Sequence, residues 1–129
     1  MQSFLLVGLA GAAGAVSRYA VGILAQRSLG TNFAYGTLLV NVLGCLLLGF
    51  LLEIERNSNL VPNPMRLILA VGFLGAFTTF STFGYETMRY LQDGAGNLAL
   101  LNVTANLVLG CGGIWVGWLA ARAFFPVAG

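Results

Sequence analysis

The run Gly72-Phe73-Leu74-Gly75-Ala76-Phe77-Thr78-Thr79-Phe80-Ser81-Thr82-Phe83-Gly84-Tyr85-Glu86 decides how this chain folds. It lies in a stretch without charge from Leu67 to Tyr85, close to the roughly 20 apolar residues a helix needs to cross a bilayer. Yet it makes a poor continuous helix. Three glycines, four phenylalanines and four hydroxyl residues fall within thirteen positions. Each glycine lowers helix propensity by about 1 kcal/mol, and Ser and Thr side chains compete for backbone hydrogen bonds. The composition favours a broken helix. The alternative is a continuous helix whose hydroxyls bond back within their own turn. Irregular backbone at bilayer depth has to be buried in protein or line a cavity, because an orphan amide in lipid costs several kcal/mol. A break also frees carbonyl oxygens, which can coordinate a cation.

The surrounding composition supports a membrane setting. The chain has 129 residues, of which 58% are hydrophobic and 8% charged, and its mean hydropathy is +0.87. Soluble domains are about a quarter charged. There are six Arg and four acids, with no Lys and no His. No Ser-His pair, His-bearing zinc site, Lys-dependent phosphate loop or Schiff base can therefore be built. A net charge of +2 is too small and too scattered for a nucleic-acid surface. An enzyme is not expected.

Four spans fit between the charges, at roughly 3–26, 36–53, 66–91 and 98–121. They use nearly the whole chain, so 1–129 reads as a single four-helix transmembrane domain, an all-α membrane protein. The loops are short. Glu53 to Pro64 is the clearest one, with Asn57, Ser58, Asn59, Pro62 and Pro64, and Asp93-Gly94 to Asn97 is a second turn signal. The N-terminus lacks a basic region and its apolar stretch runs past Arg18, so it reads as a retained helix rather than a signal peptide. Cys45 and Cys111 fall in mid-helix and read as small packing residues.

The Arg distribution has almost no bias. Arg56, Arg66 and Arg122 lie on the side of the N-terminus. Arg27 and Arg89 lie on the other side, and Arg18 leans toward it. Positive charge near span ends sets orientation. Near balance fits a weakly biased chain that inserts one way. It also fits dual topology, in which copies insert both ways and pair antiparallel.

Small and polar residues recur at helical spacing on each span. They are Gly8, Gly11, Ala15, Arg18 and Gly22 on the first, Thr37, Asn41 and Gly44 on the second, and Asn102, Asn106, Gly110, Gly113 and Gly117 on the fourth. Close helix packing accounts for the glycines. Asn41 and Asn106 lie about six and nine residues into their spans, too deep for free hydration, so their amides face protein or a water-filled path. Arg18 is deeper still and has to snorkel or face a polar vestibule. Glu86 is a candidate partner for it as the other deeply placed charge. Phe73, Phe77, Phe80 and Phe83 also recur at helical spacing, interleaved with Thr79, Ser81 and Thr82. Ring edges carry positive potential. Together with hydroxyls and amide N–H groups they can hold a small anion without the full charge that would trap it.

These residues resemble a known family. Gly72 to Phe83, with its Thr-Thr-Phe-Ser-Thr-Phe string, is similar to the signature of the Fluc/CrcB fluoride channels, and Gly36-Thr37-Leu38-Leu39-Val40-Asn41-Val42-Leu43-Gly44 to the family's other characteristic segment. Arg18, Asn102 and Asn106 also match, and the resemblance covers the whole chain. It implies an antiparallel dual-topology homodimer in a bacterial cytoplasmic (inner) membrane, passively exporting toxic cytoplasmic fluoride. By that resemblance the fluoride pore involves Asn41, Phe80, Phe83, Ser81, Thr82 and Asn106. Backbone carbonyls of Gly75 and Thr78 would hold a structural sodium ion at the dimer centre. Glu86 matches the family's acid after the motif. The chain departs from the family's pattern at Gly110, where many relatives carry Ser, and at Ala76 and Gly84. A small proton-coupled drug exporter is the main rival. It relies on a carboxylate in the first helix, where this chain has only Arg18 and Arg27 as charges. A structural subunit of a larger complex would have no need of the Thr78–Thr82 hydroxyls.

Overall fold

A computed structural model of the chain describes residues 1–58 and 60–126. Asn59, expected in the second loop, lies outside the described residues. Four helical spans are long and apolar enough to cross a membrane: Gln2–Leu29, Tyr35–Asn57, Asn63–Gln92 and Gly96–Phe124. The described residues contain no strand. The first two spans are α1 (Gln2–Leu29) and α2 (Tyr35–Asn57). The third is built from α3 (Asn63–Arg66), a π-helical segment (Leu67–Leu74), α4 (Gly75–Phe77) and α5 (Phe80–Gln92). The fourth is α6 (Gly96–Phe124).

Local chemistry accounts for the ends. Pro64 stands in the first turn of α3, where a missing N–H costs nothing. Gly94, at φ 72°, makes the reversal between α5 and α6 that its place in the sequence predicts. Arg27, Arg56, Arg89 and Arg122 fall in the last turns of their helices, where a cation meets the negative end of the helix dipole.

The spans pack through small residues. The π segment lies along α1, and Gly14 touches the Phe73 carbonyl so closely that a Cβ has no room there. α2 packs along α6, where a Cβ on Gly49 would stand 2.5 Å from the Ile114 carbonyl oxygen. In lipid, where apolar side chains gain little by meeting each other, such backbone approach provides the van der Waals contact that drives association. At the end of this interface, buried Glu53 accepts from Arg122 Nε at 2.6 Å and from Asn57 Nδ2 at 2.8 Å, tying α2 to α6. The apolar outer faces stay open, with Phe4, Leu9, Val16, Leu100, Leu107, Val108 and Trp115 all exposed.

Two consecutive residues of the third span leave helical geometry. Thr78 has φ −83° and ψ 161°, and Thr79 has φ −152° and ψ 118°. Their two extended peptides separate α4 from α5.

Candidate functional site

The site forms where those extended residues meet α2 and α6. Thr79 points both backbone groups at one side chain. Its N–H donates to Asn41 Oδ1 at 2.8 Å, and its carbonyl accepts from Asn41 Nδ2 at 3.2 Å. The amide of Asn41 thus replaces the helical bonds that Thr79 lacks, which a buried peptide requires. The Thr79 hydroxyl caps α5, accepting from the Thr82 N–H at 3.2 Å. It also lies 3.0 Å from the Thr82 hydroxyl and 3.4 Å from that of Ser81.

Both bonds have a consequence for the carbonyls upstream. In an α-helix each N–H bonds the carbonyl four residues earlier. The N–H of Thr79 would close onto Gly75, and that of Thr82 onto Thr78. Both go to side-chain oxygens instead. The Gly75 and Thr78 carbonyls are left without their helical partners, and Gly75 is exposed.

The second Asn41 N–H donates to Asn106 Oδ1 at 2.9 Å. Phe80 and Phe83 follow on α5, their ring centroids 5.5 Å apart at an interplanar angle of 52°. Phe80 is 82% exposed and Phe83 half-buried. Asn41, Asn106, Phe80, Phe83, Gly75 and Thr78 line one cavity of about 320 Å³. A larger open cavity of about 660 Å³ holds Arg18, Thr37, Thr82, Glu86 and Arg89. Buried Thr79 belongs to the walls of both.

The structure therefore brings Asn41, Asn106, Phe80, Phe83, Gly75 and Thr78 together. Ser81 and Thr82 sit on the exposed first turn of α5 beside them. Arg18 and Glu86 belong to the wide vestibule, and they form no ion pair among the described residues. Glu86 Oε1 accepts from the Thr37 hydroxyl at 2.8 Å, and its Oε2 is buried without a partner. Sequence reasoning counted Thr79 among the donor hydroxyls without seeing its backbone as the partner of Asn41, and it did not single out Thr87. Thr79 was legible as the first residue of a Thr-Phe-Ser-Thr cap. Thr87 has no such signal.

A family model described as CrcB-like protein, Camphor Resistance (CrcB), matches residues 5–118. The chain belongs to the CrcB family. It is 41% identical over 123 residues to the fluoride-specific ion channel FluC of Geobacter sp. (strain M21), covering 95% of this chain and 99% of that one. It is 45% identical over 123 residues to the fluoride-specific ion channel FluC of Clostridium perfringens (strain 13 / Type A), covering 94% of each. The FluC of Dehalococcoides mccartyi (strain CBDB1) is 45% identical over 117 residues, covering 91% of this chain and 90% of that one. The CrcB family is one of ion channels, not enzymes, and this chain is a multi-pass membrane protein of that family.

Proposed function

We propose that the chain is a fluoride-specific channel subunit that lets cytoplasmic fluoride leave passively and so relieves its toxicity. The observation that carries this reading is a route built from neutral donors. Thr82 lines the Arg18 vestibule, Asn41 and the Phe80–Phe83 pair line the smaller cavity, and buried Thr79 forms the wall between the two. Fluoride is small and strongly hydrated, so it needs convergent donors to replace its water. In the smaller cavity, whose lining has no charged side chain, hydroxyls, an amide and ring edges supply them without a fixed positive charge to hold the ion, which conduction requires. Larger halides, with lower charge density, gain less from such donors.

The subunit works as an antiparallel homodimer in the bacterial inner membrane, with a third helix broken at mid-depth. Exposed Ser81 and Thr82, and exposed Gly75 with a carbonyl released from its helical bond, support this, because hydroxyls and unpaired carbonyls are costly against lipid and a second copy would cover them. The Gly75 and Thr78 carbonyls fit a structural sodium ion at the dimer centre. They are hard oxygen ligands released from helical bonding, and two copies together offer twice the set. The ion would supply positive charge at the break.

A fluoride-electrode efflux assay on purified protein in liposomes tests the reading, with chloride as control. Fluoride efflux without chloride efflux is expected. Comparable flux of both ions overturns the selectivity, and no fluoride flux overturns the function.

A further inference from the structure

The amides behind Asn41 form a chain with a single direction. Thr79 sets it, because its N–H has to meet an oxygen and its carbonyl an N–H, which pins the Asn41 amide. The second Asn41 N–H then points at Asn106, and only the oxygen of that side chain can receive it. Asn106 Nδ2 is thereby turned toward Asn102, where the backbone carbonyl accepts at 2.9 Å and Oδ1 at 3.1 Å. Asn102 in turn donates through Nδ2 to the Thr87 hydroxyl at 2.9 Å. The Thr87 hydrogen goes to the Phe83 carbonyl at 2.8 Å. Reversing any one amide would set donor against donor or acceptor against acceptor. Asn102 is 0% exposed, so no bulk water can mend such a reversal.

The direction matters to a passing anion. A fluoride at Asn41 takes an N–H that Asn106 Oδ1 otherwise holds, so binding is a competition. With Asn106 turned round, two amide NH₂ groups would converge and trap the ion, which conduction does not tolerate. Resting on the conduction reading above, we propose that Asn102 and Thr87 are positioning residues for fluoride passage. They do not touch the ion. They hold the Asn106 amide with its oxygen toward Asn41.

The test is a double-mutant cycle on fluoride efflux from liposomes, using wild type, Asn102→Leu, Asn106→Leu and the double variant. Each is first checked for assembly by size exclusion in detergent. Asn102→Leu is expected to lower flux about tenfold, the equivalent of ~1.4 kcal/mol. If Asn102 acts through Asn106, the double variant conducts as Asn106→Leu alone does. A purely structural role makes the two losses multiply and overturns the proposal, as does wild-type flux in assembled Asn102→Leu. Should Asn102→Leu fail to assemble, Thr87 decides. Thr87→Val is expected to lose flux severalfold and Thr87→Ser, which keeps the hydroxyl, to restore it. Equal flux in these two variants overturns the proposal. Wild-type protein without fluoride flux sinks the conduction reading and this inference with it. Conducting wild type with unaffected variants sinks this inference alone.

Discussion

Asn41→Asp is the sharpest perturbation of the site, because it keeps the shape while it removes the donors and adds a carboxylate. Asp retains an oxygen for the Thr79 N–H, a contact of 2.8 Å in the native chain. It loses the N–H groups that reach the Thr79 carbonyl at 3.2 Å and Asn106 Oδ1 at 2.9 Å. Each acceptor left unsatisfied in a buried setting costs about 1–3 kcal/mol. The two together come to roughly 2–6 kcal/mol of folded-state stability, and an anion that loses one Asn41 N–H contact at the barrier, worth ~2 kcal/mol for a charged group, passes about 30-fold more slowly. A carboxylate facing two oxygens also repels them, and it repels the anion. Fluoride efflux from liposomes is therefore expected to fall at least ~30-fold, while size exclusion still shows an assembled protein. Flux within about twofold of wild type in assembled Asn41→Asp would refute the assignment of Asn41 to the pathway.

Other outcomes follow from the same geometry. Phe80→Ile and Phe83→Ile each remove a ring edge beside the break and should cut fluoride efflux strongly with assembly intact, measured in the same assay. Thr78→Ser should be mild in flux and assembly, because Thr78 is assigned to the cation through its main-chain oxygen. Gly49→Leu places a Cβ 2.5 Å from the Ile114 carbonyl oxygen, and such overpacking costs about 1–3 kcal/mol or more, so the melting temperature in detergent should drop. Reporter fusions at the C-terminus should give signal from both sides of the membrane, and a single orientation would contradict dual topology.

Much of the fold was legible because the membrane imposes strict rules. Ten charges in 129 residues leave few places for span ends, and the expected spans lie within two or three residues of the observed helices at most ends. Only α2 runs on further, to Asn57. The π segment at Leu67–Leu74 was not legible. Its side chains are ordinary apolar residues, and no local signal marks the wider turn that lies against α1 at Gly14. The site was legible as a set of residue types at suspect depth. Asn41 and Asn106 stood out because an amide deep in a span needs a partner. Which partner each takes depends on contacts between residues 38 and 65 positions apart in the chain.

The sequence by itself determined that this chain crosses a membrane, how many times, and that its chemistry rests on amides, hydroxyls and rings. Those conclusions follow from transfer energies, which depend on residue type and local spacing. Tertiary structure alone decided that Asn41 completes the backbone of Thr79, that Glu86 pairs with Thr37 rather than Arg18, and that the amide chain runs in one direction to Phe83. Hydrogen bonds are directional and short, so they are settled only when separate helices fix the positions of both partners.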